Sequence, residues 1–167
     1  MVALEIQSMK YFMKHLLSSD TFDDFLLEEA TIRTANAFTI DGHMNAEFFP
    51  PEERDEAHLP YEFRPWKDLK ALCYDLIKGK YAPVFFQFVL HYKPEMCAGL
   101  LRDKAVSPGL ASQLKALVLN VRYTGGKAVL TTGSSYQTFV MEKEADKVWD
   151  NFLCAFLEQK GIGYEKL

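Results

Sequence analysis

The sequence predicts an α+β fold: a mainly antiparallel sheet with two tryptophan-bearing amphipathic helices packed on one of its faces. The first observation is a hairpin pattern, because apolar residues occupy alternate positions over Leu117–Tyr123. Gly125 and Gly126 follow, and such a pair supplies the positive φ angles that a two-residue turn needs. The second is helical spacing, with large apolar residues every three to four positions over Ala145–Leu157 and Gly161 as the C-terminal cap.

The glycine pair also sets a register for the hairpin. A two-residue turn places Tyr123 opposite Ala128 and Val121 opposite Leu130. Directly opposed residues point to the same side of a sheet, so these four form one apolar face. Arg122, one position out of phase, is therefore expected to point away from the helices.

An upstream segment carries a similar plan. Asp41-Gly42 after the strand-like run Ala30–Ile40 predicts another hairpin tip, with His43–Phe49 returning antiparallel. A helix with Trp66 in its first turn follows. The distance from Gly42 to Trp66 is 24 residues, and the distance from Gly126 to Trp149 is 23. The match is consistent with an internal duplication of hairpin plus helix. Ordinary alternation of hairpins and helices in α+β domains is the competing interpretation.

The rest of the chain supplies smaller elements. The pattern predicts a strand over Ala3–Ile6, a helix after Ser8, an acidic surface loop over Pro50–Pro65, a central strand over Tyr81–Tyr92 and a turn at Ser107-Pro108-Gly109. For residues 94–104, a short helix and an irregular excursion both fit. Gly133 predicts a break in the last strand, with Tyr136–Val140 continuing it past a bulge.

Composition excludes several classes of protein. A chain of 167 residues with 49% hydrophobic residues fits one globular domain over 1–167. The net charge of −4 argues against binding nucleic acid through its phosphates. Charged residues interrupt the apolar positions of Met1–Leu17, so we expect neither a signal peptide nor a membrane span. Three cysteines without a CxxC pair predict a cytoplasmic protein.

The sheet face opposite the helices is the candidate binding site. Its polar residues are Arg33, Gln87, His91, Asn120 and Arg122. Guanidinium, imidazole and amide groups suit an anionic or polar partner, either a protein or a small ligand. Phe85 is the lone aromatic residue there, which further disfavours nucleic acid because single strands are bound by stacking. The leading hypothesis is a non-enzymatic binding or adaptor module, and a plain solvated face is the alternative.

The second hypothesis is a small cytosolic enzyme with a site near Asp41, His43 and His91, which would require a pocket. The sequence contains no GxSxG nucleophile elbow, no glycine-rich nucleotide loop and no HExxH zinc motif. We therefore predict no cofactor and no metal. The acidic run Glu52–Glu56 lacks the glycine-enabled turn of a tight calcium loop, so we expect no structural metal there.

Five segments together resemble an uncharacterised bacterial domain-of-unknown-function family of about this chain's length. They are TFDDFLLEEATIRT, FTIDGH, WKDLKALCYDLIKGK, TGSSYQTF and KVWDNFLCAFLE. The resemblance spans nearly the whole chain and implies a stand-alone intracellular bacterial protein. That family has no assigned activity, substrate or cofactor, so the resemblance assigns no functional residues.

Overall fold

Eight strands form one antiparallel sheet in the computed structural model, which describes all 167 residues. The strands are β1 (Ala3–Ile6), β2 (Phe25–Arg33), β3 (Ala37–Asp41), β4 (Arg64–Pro65), β5 (Phe85–Tyr92), β6 (Leu114–Thr124), β7 (Lys127–Tyr136) and β8 (Tyr164–Lys166). Their order is β3-β2-β5-β6-β7-β1-β8, with β4 also paired to β2. Every pairing is antiparallel, as the sequence predicts.

Five helices accompany the sheet and complete the predicted α+β fold. They are α1 (Met9–Leu17), α2 (Trp66–Ile77), α3 (Pro94–Asp103), α4 (Pro108–Gln113) and α5 (Glu144–Gln159). Residues 94–104, for which the sequence allowed either a short helix or an irregular excursion, are therefore helical over Pro94–Asp103. Ser107 accepts a hydrogen bond from the backbone N–H of Leu110, so the Ser-Pro-Gly sequence begins a helix instead of forming an isolated turn. None of the five helices combines the length and hydropathy needed to cross a bilayer.

The β6–β7 hairpin has the predicted register. Tyr123 faces Ala128 and Val121 faces Leu130. The turn glycines both have positive φ, 60° at Gly125 and 80° at Gly126, which explains why glycine occupies both positions. The register argument that directs Arg122 away from the helices is therefore confirmed.

Two details of this hairpin differ from expectation. Strand β7 runs through Gly133 to Tyr136 without a break, and the chain from 137 to 143 is not a strand. The irregularity lies instead in β6, where the register shifts between Leu114 and Ala116. Gly133 has ordinary space around it, so it marks neither a bulge nor a close approach of backbone.

The first hairpin turns earlier than predicted. β2 and β3 are joined at Thr34–Asn36, where the Thr34 N–H donates to the Asn36 carbonyl at 2.8 Å. The chain after Gly42 forms no returning strand, since His43 makes only an isolated bridge to Phe63 and a short 3₁₀ turn follows. The spacing from Gly42 to Trp66 therefore does not begin at a hairpin tip, so it does not support an internal duplication.

The main core lies between the sheet and helices α1, α2 and α5, with 26 buried residues in one cluster. Trp66 and Trp149 both belong to it, so both tryptophan helices pack on the same face of the sheet. Each indole N–H donates to a backbone carbonyl at 2.9 Å, that of Leu16 for Trp66 and that of Val118 for Trp149. These bonds allow a polar nitrogen to be buried without leaving it unsatisfied.

Candidate functional site

The open face of the sheet carries two guanidiniums that share one aromatic ring. The Cζ atom of Arg33 lies 4.4 Å, and that of Arg122 5.4 Å, from the centroid of the Phe85 ring. Phe85 is on β5, between the strands that carry the two arginines, and its side chain is only 8% exposed. We call these three residues the arginine clamp.

Neither arginine of the clamp is neutralised. No carboxylate lies within ion-pair distance of Arg33 or Arg122, although the chain forms ten other ion-pair contacts. Glu28, a conceivable partner, contacts His91 instead. Contact with an aromatic ring restrains a guanidinium without occupying its N–H donors. Both forks thus remain available for bidentate contacts with an anion.

An amide pair extends the clamp across the sheet. Gln87 faces Arg122 in the β5–β6 register, and its Nε2 donates to Oδ1 of Asn120 at 3.0 Å. Four of the five residues predicted from the sequence thus lie together on one part of the open face. None of the five main cavities is lined by any member of the clamp.

His91, the fifth predicted residue, lies near the opposite end of β5 from Phe85. Its Nε2 atom is 3.0 Å from Oε2 of Glu28, and its ring packs edge-on against Phe63 with centroids 4.7 Å apart. A bulge in β2 between Leu27 and Glu29 gives Glu28 its place beside His91. Sequence reasoning missed this contact because a bulge interrupts the alternation from which side-chain directions are inferred.

A second imidazole packs on the same phenylalanine. The His43 ring centroid lies 4.5 Å from that of Phe63, and His43 Nδ1 is 2.7 Å from Oδ1 of Asp41. This hydrogen bond raises the pKa of His43 above its usual value. The pKa of Asp41 is lowered, first by the backbone N–H of His43 and then by the imidazole. Asp41, His43 and His91, which are distant in sequence, are thus brought together as the enzyme hypothesis requires.

The two imidazoles line a common pocket of about 250 Å³. Glu28, Glu62 and Lys115 supply further charged groups to it. We call it the imidazole pocket. A larger cavity of about 640 Å³, bounded by α3 and α4, adjoins it and shares His91 and Lys115. Phe63 and Lys115 were not foreseen, since Phe63 lies in an irregular loop and Lys115 lies at the register shift of β6, where alternation does not indicate the direction of a side chain.

Metal-ligating side chains do not gather at either end of the open face. No group of three or more His, Cys, Asp or Glu side chains is placed to hold a metal ion. In the acidic loop, His58 contacts only Asp55, and both side chains are more than half exposed.

The fold and these sites define an α+β protein with a helix-covered face, an arginine-bearing open face and a pocket at one end of it. The chain belongs to DUF5721, a family of unknown function that matches residues 15–165. The resemblance inferred from the sequence is confirmed at that level. No curated protein and no solved structure gives a significant match to the chain.

Proposed function

We propose that the protein is a non-enzymatic binding or adaptor module that uses its open sheet face to hold a carboxylate- or phosphate-bearing protein surface. The observation that carries this proposal is the arginine clamp, in which Arg33 and Arg122 contact one buried ring and neither has an acidic partner. Arginine forks match the planar geometry of carboxylate and phosphate groups. A site outside the main cavities favours a protein surface as the partner over a small molecule that needs enclosure.

The charge balance of the chain strengthens this argument. Acidic residues outnumber basic ones, 23 to 19, so an exposed arginine has many potential internal partners. Two adjacent arginines remain unpaired in an acidic protein, so the area of the open face around Phe85 carries a local positive charge. An anionic partner would then be attracted locally while the rest of the surface repels it, which gives orientation as well as affinity.

Arg122→Ala is expected to abolish binding to acidic and phosphoserine peptides while changing the free energy of unfolding by no more than about 0.5 kcal/mol, because the side chain is exposed. Peptide arrays would measure binding and thermal melts would measure stability. Arg102→Ala, on α3 and outside the clamp, is the matched control and should bind normally. Full peptide affinity in Arg122→Ala, or an equal loss in the control, would contradict the proposal.

A cytoplasmic location is part of the proposal. Its support is the state of the three cysteines, all of which are free. Burial raises the pKa of the Cys73 thiol to about 12 and that of Cys97 to about 11, so both thiols stay protonated and unreactive at neutral pH. Such cysteines need no oxidising compartment.

The imidazole pocket favours a second candidate function, acid–base catalysis. Two imidazoles, each held by a carboxylate, line one pocket together with Lys115. A histidine oriented in this way can donate or accept a proton beside a bound substrate. Because the pKa of His43 is raised, its protonated form persists to higher pH than that of a free histidine.

The test of this candidate is turnover of p-nitrophenyl acetate and p-nitrophenyl phosphate. Hydrolysis should fall about 100-fold in His43→Gln or His91→Gln, the scale of general acid–base catalysis. With His43 as the acid, the rate should decline as the pH rises through its raised pKa. His58→Gln, which removes another carboxylate-held imidazole outside the pocket, is the control. Absence of turnover, or the same loss in the control, would leave only the binding function.

A further inference from the structure

We propose that a groove on the helix side of the sheet binds a single-chain amphiphile with an anionic head, such as a medium-chain carboxylate. The groove lies between α1, the C-terminal end of α2 and the turn of the β6–β7 hairpin, and its volume is about 480 Å³. This is within the usual range for ligand sites, roughly 300–1,000 Å³. The groove is on the opposite side of the sheet from the arginine clamp, so the inference does not depend on the binding function proposed above.

The interior of the groove is apolar. Phe86 and Tyr123, from adjacent strands, contribute stacked rings with centroids 4.8 Å apart and planes 5° from parallel. Met9 and Met13, one turn apart on α1, supply flexible thioether side chains that adapt to the shape of a ligand. Ile77, in the last turn of α2, lines the groove as well. These surfaces suit an alkyl chain.

The charged residues that line the groove are all basic. Lys10, Lys14 and Lys78 line the groove, and no acidic residue does. Lys10 and Lys14 lie one helical turn apart, where like charges repel, and neither has an ion-pair partner. Lys78 forms an ion pair with Asp75 in which both side chains are more than half exposed, and its Nζ atom lies 5.7 Å from the centroid of the Tyr74 ring. In a chain with a net charge of −4, this concentration of cations beside an apolar groove is complementary to an anionic head group.

Other occupants fit less well. A bilayer would have to receive the apolar side of α1, but Phe12 and Leu16 on that side are completely buried in the core. A nucleic acid or other polyanion could contact the lysines but would leave the apolar interior of the groove unused. A soluble amphiphile with one charge and one chain uses both features.

Titration calorimetry of the full-length protein with octanoate, decanoate and dodecanoate, below their micelle concentrations, tests the inference. Affinity should rise about fourfold for each added methylene while the chain still fits inside the groove. Decanol and decyltrimethylammonium should bind at least about tenfold more weakly than decanoate, since they lack the negative charge. Equal affinity for decanol, or no binding of any carboxylate at millimolar concentration, would overturn it.

A double substitution locates the site. Lys10→Gln with Lys14→Gln should weaken decanoate binding about tenfold, the combined effect of two exposed ion pairs. Lys67→Gln with Lys147→Gln removes the same charge from exposed positions on α2 and α5 and should leave the affinity unchanged. An equal loss in both proteins, or binding of anionic vesicles without binding of decanoate, would refute the assignment.

Discussion

Trp149→Ala is expected to lower the free energy of unfolding by about 3–5 kcal/mol, the usual range for removing a buried tryptophan. The side chain is 1% exposed and packs among Phe25, Tyr92 and Phe152, with ring centroids 5.2 to 6.2 Å from its own. These three neighbouring rings cannot fill the cavity left by the indole without moving from their own packed positions. The substitution also removes the hydrogen bond from the indole N–H to the Val118 carbonyl. Urea unfolding with an unchanged m-value would measure the loss.

Two comparisons make this result specific. Tyr74→Ala removes an aromatic side chain that is 44% exposed and should change stability far less. Trp66→Ala should cost about as much as Trp149→Ala. A tryptophan in the first turn of a helix is often partly exposed, but Trp66 is fully buried against Phe88. A loss below about 1 kcal/mol in both tryptophan variants would show that neither helix is anchored to the sheet as described.

The sequence predicted those elements in which local chemistry and long-range packing favour the same structure. The β6–β7 turn needs positive φ at two positions, and only glycine accepts that freely, so the glycine pair fixed the register of the hairpin. The alternation of Leu117–Tyr123 then gave the direction of Arg122. The apolar stripes of α2 and α5 were equally predictable from the sequence, because a helix packed on a sheet needs one apolar side.

The candidate sites were predictable only in part. Strand parity placed Arg33 and Arg122 on the open face, but it does not say that both would contact Phe85. The imidazole pocket depends on Phe63, held in an irregular loop by a single bridge to His43. Such contacts come from the path of a loop and from a bulge, and neither leaves a periodic signal in the sequence.

Gly42 shows how one residue type can serve two different structural needs. Asp-Gly is a strong hairpin signal, because glycine accepts the backbone angles of a tight turn. Here Gly42 has no positive φ and does not lie in a turn. Its N–H donates to the Glu28 carbonyl and its own carbonyl accepts from the Arg64 N–H, both at 2.8 Å. It therefore links β2 to the first residue of β4, at the bulge that places Glu28 beside His91.

Gly42→Ala is expected to destabilise the protein by about 3 kcal/mol or more, at the upper end of the cost of overpacking. An added Cβ would overlap the Leu27 carbonyl oxygen and lie 2.7 Å from its carbonyl carbon. Both are backbone atoms of a central strand, so the clash is relieved only by separating the two chains and losing hydrogen bonds. Urea denaturation would measure the change.

The size of the stability loss distinguishes a glycine required for close backbone packing from one required for the conformation of a turn. A glycine needed only for the conformation of a turn would cost about 1 kcal/mol on replacement by alanine. Gly109→Ala is the matched control, because nothing lies within 4 Å of its added Cβ and the residue is helical. That variant should be as stable as the native protein or slightly more so. A loss of only about 1 kcal/mol in Gly42→Ala would mean that the chain does not pass this close to β2, and the contact between Glu28 and His91 would lose its structural support.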